Sequence, residues 1–455
     1  WPKTVVSDED KPFMAAPRVT WKGKVINALL TPLDLLRVGW QFQRPIALKR
    51  LEERAAAFAN MNPGSSKDNA GRSLEDSTWY VEKYNLALDL LNGERLTALG
   101  RHLATNGLSN RFLARNRVLR EIDEAPECLA RPVKSPVFVL GLPRTGTTFL
   151  HRLLSLDPAT RSPLTYELFD PGLVDPDNYE RDRAVRAAAM DAQINTLRSI
   201  VPHIDDIHEI RAEESEECIL AMGMDLPMIP STFNPLMRIP DSILEWDVAP
   251  VYRNYKQVLQ LLAHQRRRHF NVKEDKEDPR WVLKSPAHLG FIRHLRKAFP
   301  DAKIIWTHRD PAQSIPSLCS LFRTFGETFS ATDLNLRKLG QTCTNFWEMM
   351  LRQASDDLEH LGPGDVSHVA YTDTVKDPVG TVKKLYKALN LEYTAEFDGK
   401  LNKYVEESNR KRKAAKNAQG GHAAHTYSME EYGIDESAMR ERLSWYYEKF
   451  INKDK

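Results

Sequence analysis

The chain lacks three features that would each assign it to a broad class of protein. Its 455 residues contain no apolar run of about 18 positions, the length that a membrane-spanning helix needs. Its 64 basic and 62 acidic residues leave a formal charge of +2, so no broad polyanion-binding surface and no nucleic-acid partner are expected. Four cysteines without a CxxC pair are too few for a stapled secreted scaffold. The composition therefore predicts a globular protein whose charged sites are local.

The cellular location is only weakly constrained. Unpaired cysteines favour a reducing compartment, and the cytoplasm is the expected one. The sequence begins at Trp1, which leaves open whether a leader or anchor precedes it. Residues Trp21 to Trp40 mix Trp, Leu, Ile and Val with Lys and Arg, which allows peripheral contact with a membrane surface. Packing of this helical segment on the protein's own core is the interpretation we favour.

Four short apolar runs, each followed by a helical pattern, lie between residues 136 and 390. They are Val137–Leu140, Trp281–Leu283, Lys303–Trp306 and Ser367–Tyr371. Strands that alternate with helices predict an α/β fold with a mainly parallel sheet flanked by helices, in three layers. Residues 1–134 are predicted to form a helical N-terminal region ahead of an α/β domain at 135–455. A helical insertion at about 178–270 interrupts that domain.

A segment typical of an anion site follows the first predicted strand. Gly141-Leu142-Pro143-Arg144-Thr145-Gly146-Thr147-Thr148 lies between strand and helix, where backbone N–H groups and a helix N-terminus bind phosphate. Compared with GxxxxGK[ST], it keeps both glycines and the final hydroxyl, but Thr147 replaces the lysine. No apolar strand ends in an Asp suited to magnesium. Hydrolysis of ATP or GTP is thereby disfavoured, whereas a 5′-phosphate fits and Arg144 lends it positive charge.

A second candidate phosphate site begins at the end of the third predicted strand. The segment Trp306-Thr307-His308-Arg309-Asp310-Pro311 ends in a proline suited to the first turn of a helix. Arg309 and Ser317, eight positions apart, place a guanidinium at the helix mouth and a hydroxyl about two turns along. Alternatively, Asp310 caps the helix and pairs with Arg309. Two phosphate sites on neighbouring strand ends predict a nucleotide phosphorylated at its 5′ and 3′ positions.

These segments resemble the sulfotransferase family, in particular its bacterial-type branch with a PRTGTT loop and a later HRDP segment. The resemblance covers the chain from about Leu86 to its end and implies a P-loop-like fold. It also implies that 3′-phosphoadenosine 5′-phosphosulfate (PAPS) donates a sulfonate group and that no metal is needed. The residues that it assigns to the donor are Arg144, Thr145, Gly146, Thr147, Thr148 and Phe149 around the 5′-phosphosulfate, Arg309 and Ser317 at the 3′-phosphate, and Tyr371.

The chain also departs from the family pattern. Cytosolic members have a histidine two positions after a lysine in a KTHLP-like segment, whereas His288 follows Lys284 by four. Their C-terminal Arg-Lys-Gly element corresponds only loosely to the basic run at 410–413, and a solvated charge run explains that segment equally well.

Sulfonate transfer needs an aligned acceptor hydroxyl, a base, and positive charge on the departing phosphate oxygen. Arg144 and Lys284 are the candidates for that charge. Glu167 is the favoured base, because the chain is expected to return toward the phosphate loop at this residue, shortly after the first helix. Tyrosylprotein and some bacterial sulfotransferases similarly place a glutamate about twenty residues after their loop arginine. His288 is the second candidate for the base, since imidazole titrates near neutral pH.

Two other functions compete with sulfonate transfer: a P-loop kinase or nucleotide hydrolase, and a non-catalytic nucleotide-binding module. The acceptor is not identified by any motif. The apolar residues of the two helical regions favour a small-molecule or lipid alcohol over a polysaccharide. The stretch that holds Glu213, Glu214, Glu216 and Glu217 is interpreted as a solvated helix face.

Overall fold

The computed structural model describes residues 20–35, 74–93, 96–201, 204–207, 209–225, 241–273, 276–362, 364–418 and 428–452. Three helices come first: α1 (Trp21–Leu35), α2 (Leu74–Gly93) and α3 (Ala98–Glu124), with a 3₁₀ turn at Pro126–Ala130. Helix α3 begins at Ala98 because the Thr97 hydroxyl accepts a hydrogen bond from the backbone N–H of Gly100, at 3.0 Å.

The α/β part begins with strand β1 (Val137–Gly141), helix α4 (Thr147–Leu154), strand β2 (Thr160–Arg161) and helix α5 (Thr165–Phe169). The next stretch contains helices α6 (Tyr179–Ile200), α7 (Ile204–Ile207) and α8 (Ile219–Met222), a 3₁₀ turn at Asp241–Glu245, and helix α9 (Ala249–His269).

Strand β3 (Arg280–Lys284), a 3₁₀ turn (Pro286–Gly290) and helix α10 (Ile292–Ala298) follow. The chain continues through β4 (Lys303–His308), α11 (Pro311–Phe329), α12 (Leu336–Leu358), β5 (Val366–Ala370), α13 (Tyr371–Lys376), α14 (Pro378–Ala388) and α15 (Ala395–Ala418). A 3₁₀ turn (Glu430–Tyr432), helices α16 (Glu436–Arg442) and α17 (Ser444–Tyr446) and a π turn (Tyr447–Ile451) complete the described chain.

The five strands form one sheet in the order β2-β3-β1-β4-β5, and every neighbouring pair is parallel. Central strand β1 places Val137 opposite both Val282 of β3 and Lys303 of β4. The predicted parallel sheet flanked by helices is therefore confirmed. The sequence patterns did not predict β2, because its two residues are too few to show a period.

The two faces of the sheet carry separate apolar cores, because successive strand side chains point to opposite faces. On one face, Phe138 packs with residues of α2, α3 and α9. On that same face Leu140 packs with α11 and α12. The opposite face, which carries Val139, is covered by α4, α14 and α15. We call these the α9 face and the α4 face.

Three smaller observations complete the fold. Strand β5 ends at Ala370, and Tyr371, which the apolar run had placed in the strand, opens helix α13. The four cysteines are unpaired and buried. Within the ranges that the structure describes, no helix has both the length and the apolar character needed to cross a membrane.

Candidate active site

The candidate site lies where two neighbouring strands send their helices to opposite faces of the sheet. Strand β1 continues into α4, which packs on the α4 face, and β4 continues into α11, which packs on the α9 face. This arrangement opens a crevice at the carboxyl ends of the strands, which is where open α/β sheets bind ligands. Both predicted phosphate sites lie at this crevice, since one follows β1 and the other follows β4.

The loop after β1 is shaped by two residues in the left-handed backbone region. Arg144 has a φ of 70° and Gly146 a φ of 84°, and α4 begins directly after Gly146. A side chain at Gly146 would meet the Tyr371 ring at 2.9 Å, so the ring occupies the space that the glycine leaves. Helix α4 therefore begins at this loop, and its first N–H groups lack intrahelical partners and would be available to an anion.

Two buried hydroxyl groups fasten the loop to the neighbouring strand. Thr145 Oγ1 donates to the carbonyl of Leu142 at 2.6 Å and lies 2.7 Å from Thr307 Oγ1. A Cβ on Gly141 would come within 2.2 Å of Thr307 Oγ1, so only glycine fits where β1 passes β4. Thr307 was not among the predicted site residues, although it stands directly before the HRDP segment.

Two hydrogen bonds, both made by Arg144, join the two predicted phosphate sites. Arg309 Nη1 donates to the carbonyl oxygen of Arg144 at 2.8 Å, and Arg144 Nε donates to Ser317 Oγ at 3.2 Å. The Arg309 guanidinium also lies over the Tyr371 ring, 4.3 Å from its centroid. We call residues 142–148 together with 309–317 the donor edge.

The alternative explanation of the HRDP segment holds for Asp310 alone. Asp310 caps α11 by accepting a hydrogen bond from the Ala312 N–H at 2.9 Å. Its ion-pair partner is Arg440, at 2.8 Å, and it also accepts a hydrogen bond from Tyr447. Arg309 does not pair with it and points instead toward the loop after β1.

Lys284, the last residue of β3, reaches the same loop from the other neighbouring strand. Its side chain is fully buried, and Nζ lies 3.3 Å from Thr148 Oγ1. Nζ also lies 2.8 Å from Glu217 Oε1 and 3.5 Å from Glu216 Oε1. Burial alone would lower the pKa of Lys284, but the two carboxylates outweigh it and raise the pKa above its ordinary value. The ammonium therefore stays charged beside the loop.

The interpretation of residues 213–217, the acidic loop, as a helix face is wrong, and Glu216 is not solvated. The segment is not helical, and Glu216 is buried. The backbone N–H of Cys218 donates to the carbonyl of Lys284 at 2.9 Å, which holds the acidic loop across the end of β3. Glu213 does remain exposed, paired with Arg183. The sequence held no signal for the contact between the acidic loop and Lys284, because the two are distant along the chain.

Glu167 lies in the first turn of α5, and both of its carboxylate oxygens accept hydrogen bonds. Arg161 Nη2 donates to Oε1 at 2.6 Å, and the backbone N–H of Leu164 donates to Oε2 at 2.9 Å. The second bond is half of a capping box, so the Glu167 carboxylate stabilises the first turn of α5. The side chain is 4% exposed.

His288 is buried on the α9 face of the sheet. Its Nδ1 lies 2.9 Å from the Tyr252 hydroxyl, and its ring meets the Phe138 ring edge-on. Nε2 has no hydrogen-bond partner within the described chain. Burial lowers the pKa of His288 to about 3, so the imidazole is neutral at physiological pH. Lys284, in contrast, contacts Thr148 of α4 on the other face.

The remaining predicted positions have less direct relations to the crevice. Phe149 is partly buried and packs with the core of the α4 face. Arg410 lies on α15, and the side chains of residues 411–413 lie outside the described residues. Among the residues that the structure describes, no group of three or more His, Cys, Asp or Glu side chains is arranged to hold a metal ion.

A family model described as "Sulfotransferase family" matches residues 136–395, which include both predicted phosphate segments. The chain belongs to the sulfotransferase family. The resemblance noted in the sequence is thereby confirmed at the level of the family.

Relatives of known name support the same family. The omega-hydroxy-beta-dihydromenaquinone-9 sulfotransferases Stf3 of Mycobacterium bovis and Mycobacterium tuberculosis are each 24% identical to this chain over 263 residues. That stretch is 56% of this chain and 63% of each relative, so the chain spans less than two thirds of their length.

Solved structures of two other family members share the fold. Sulfotransferase STF1 of Mycobacterium tuberculosis is 25% identical with a TM-score of 0.64, and the match covers 87% of this chain and 98% of that one. Sulfotransferase STF9 of Mycobacterium avium is 26% identical with a TM-score of 0.65, over 88% and 96% of the two chains.

Proposed function

We propose that this protein moves a sulfonate group from PAPS to a hydroxyl group of an acceptor. The observation that carries the proposal is the pair of hydrogen bonds by which Arg309 reaches Arg144 and Arg144 reaches Ser317. These bonds bring the two predicted phosphate segments side by side, as a site for a nucleotide with both 5′ and 3′ phosphates would require. Family membership supports the same donor.

The donor edge supplies what the transfer needs on the leaving-group side. The first N–H groups of α4, at Thr147 and Thr148, would bind the 5′-phosphosulfate, and Arg309 with Ser317 the 3′-phosphate. Arg144 and Lys284 would carry the positive charge that stabilises the phosphate oxygen as the S–O bond breaks. Tyr371, under the Arg309 guanidinium, would hold that side chain in place.

A titration with 3′-phosphoadenosine 5′-phosphate (PAP), beside ATP with and without magnesium, tests this proposal. We expect PAP to bind without any metal and ATP to bind weakly under both conditions, because Thr147 stands where ATP-binding loops carry lysine. A preference for ATP that depends on magnesium would overturn the proposal and favour a kinase or nucleotide hydrolase.

The acceptor that we propose is a lipophilic alcohol. The name of the Stf3 relatives describes a hydroxylated menaquinone derivative as their substrate. The formal charge of +2 agrees with this choice, since recognition of a sulfated glycan is expected to want a strongly basic surface. The cytoplasmic location stays a prediction.

Helix α1 offers a surface by which such an acceptor would be reached. Its Ile26 and Leu30 pack inward, near Leu99, while Trp21 and Leu29 are 77% and 71% exposed. Trp21, Val25 and Leu29 are four residues apart and form one exposed apolar stripe. Lys22 and Lys24 beside the stripe are exposed as well. An apolar stripe flanked by lysines complements an anionic bilayer surface, and we propose that surface as its partner.

Co-sedimentation of the full chain with phosphatidylcholine vesicles, with and without phosphatidylglycerol, tests this surface. The double variant Trp21→Ala/Leu29→Ala should bind anionic vesicles at least about tenfold more weakly, because each side chain loses apolar burial. Val185→Ala, which removes exposed apolar surface from α6, is the matched control and should bind as the unmodified protein does. Equal binding of all three proteins would contradict the proposal.

A further inference from the structure

The ammonium of Lys284 is shared between the phosphate loop and the acidic loop. It contacts the Thr148 hydroxyl on one side and the Glu217 carboxylate on the other, at 3.3 Å and 2.8 Å. Because the side chain is fully buried, this ammonium has no water to replace a lost partner. Any anion that binds at Thr148 therefore meets a cation that Glu217 already holds.

The two glutamates beside Lys284 differ in what else they contact. Glu216 Oε1 also accepts a hydrogen bond from the Glu217 N–H at 2.8 Å, and its side chain is 7% exposed. The Glu217 side chain keeps 21% exposure. Glu216 is therefore fixed as a buried counterion, whereas Glu217 combines a contact to the active-site lysine with access from outside.

The position of Glu217 is set by the sheet and not by a surface ion pair. Cys218 N–H is bonded to the carbonyl of Lys284, and the next residue, Ser285, donates its N–H to Val139 of β1 at 3.3 Å. The end of β3 thus ties the acidic loop to the strand that carries the phosphate loop. Glu217 is thereby held one lysine away from the phosphate loop, on the side where an acceptor would have to approach the donor.

We propose that Glu217 is the general base of the transfer and that Lys284 releases it when the donor binds. This proposal rests on the proposed function. The donor's 5′-phosphosulfate attracts the Lys284 ammonium, and the Glu217 carboxylate is then available to the acceptor.

Glu217 takes the proton of the acceptor hydroxyl as the acceptor oxygen bonds to sulfur. The bond between sulfur and the phosphate oxygen breaks, and its electron pair stays on that oxygen, which Lys284 and Arg144 stabilise. The products are the sulfated acceptor, PAP and protonated Glu217, which returns its proton to water.

The two bases predicted from the sequence are less well placed for this role. Glu167 uses both oxygens to bind Arg161 and the backbone of α5. His288 lies on the α9 face, against Phe138 and Tyr252. Neither has a contact with the phosphate loop or with Lys284 among the hydrogen bonds of the described chain.

Two measurements on variants of the full chain test the proposal. The first is the affinity for PAP, and the second is the rate at which PAP is released from PAPS with decan-1-ol or with water as the acceptor. Glu217→Gln should bind PAP about tenfold more tightly, because the anion that competes for Lys284 is gone. The same variant should transfer sulfonate about 10²- to 10⁴-fold more slowly, because it lacks a base. A merely structural role would weaken both properties together.

Glu213→Gln, which changes an exposed carboxylate of the same loop that pairs with Arg183, is the matched control and should transfer sulfonate as the unmodified protein does. Glu167→Gln tests the competing base and should keep more than about a tenth of the transfer rate. In Glu217→Ala, added formate should restore part of the rate, since a small carboxylate can replace the missing one. Unchanged PAP affinity in Glu217→Gln, or a larger loss of transfer in Glu167→Gln, would overturn the proposal. Failure of the unmodified protein to bind PAP would instead refute the proposed function.

Discussion

The donor edge and the acidic loop meet at Lys284, yet they depend on the sequence in different ways. The donor edge consists of two segments, each contiguous in the sequence, whose backbone turns and helix starts would supply most of the binding that we propose. The acidic loop, at 213–217, acquires its chemistry only from a lysine that β3 brings to it. Local binding sites made by the backbone can be predicted from short motifs, whereas a shared buried charge depends on tertiary contacts. The following experiments test that contrast.

The largest effect is expected where the two regions meet. Lys284→Met leaves Glu216 and Glu217 without their buried cation, which should lower the free energy of unfolding by about 3–5 kcal/mol. Urea denaturation measures the change. The double variant Lys284→Met/Glu217→Gln should recover part of the loss, because one uncompensated charge is removed. A single variant as stable as the unmodified protein would show that the acidic loop is not held by this ion pair.

Next in size is the steric demand of the donor edge. Gly141→Ala places a methyl group within 2.2 Å of Thr307 Oγ1 and should destabilise the fold by about 3 kcal/mol. Gly107→Ala, within α3, is the matched control, because a Cβ there meets nothing within 4 Å. That change should stabilise the protein by up to about 1 kcal/mol, since alanine favours helix. Equal denaturation midpoints for the two variants would argue against the close approach of β1 and β4.

Removing a positive charge from the donor edge should have a slightly smaller effect than the glycine substitution, and it should change PAP binding and not stability. Arg309→Ala removes the guanidinium that bridges Tyr371 and the Arg144 carbonyl, and should weaken PAP binding about 10- to 100-fold in a calorimetric titration. Arg293→Ala on α10, a side chain 50% exposed and 3.9 Å from Asp357, is the control and should bind PAP normally. If both variants keep full affinity, the second phosphate site lies elsewhere.

The pH dependence of stability separates His288 from the crevice. Its pKa is about 3 in the folded protein against about 6.5 when unfolded, so only the unfolded chain takes up the proton between these values. This group therefore costs stability as pH falls from 6.5 toward 3, by about 1.4 kcal/mol per pH unit, and costs nothing above 6.5. In His288→Asn, denaturation curves over that range should show a shallower decline. An unchanged slope would show that the imidazole is not buried neutral.

The smallest effect is expected at the exposed end of the acidic loop. Glu213 pairs with Arg183 at 2.7 Å, with side chains 55% and 42% exposed. Glu213→Ala should change the free energy of unfolding by no more than about 0.5 kcal/mol, because water solvates both charges. A loss as large as that of Lys284→Met would remove the distinction between the exposed and buried carboxylates of this loop.

The parallel sheet and the family were predicted correctly from the sequence, because each rests on short-range patterns, and the two phosphate segments that stay predictions rest on patterns of the same kind. Apolar runs such as Val137–Leu140 must be strands once helical periods surround them. The glycines and hydroxyls after β1 have few other uses between a strand and a helix. Arg309 directly precedes Asp310, the cap of α11, and Ser317 lies within that helix, so the regular helix geometry sets most of their separation in space.

Tertiary structure alone decided how the charged side chains are shared. Both carboxylate oxygens of Glu167, which was predicted as a base, accept hydrogen bonds, one from the backbone at the start of α5 and one from Arg161. His288 lies on the α9 face of the sheet, against Phe138. Glu216 and Glu217 reach Lys284 because the neighbouring Cys218 N–H is bonded to the carbonyl of Lys284, a residue distant along the chain. Side-chain charge acts through space and its strength depends on burial, and neither the neighbours nor the burial of a carboxylate is encoded in the residues next to it.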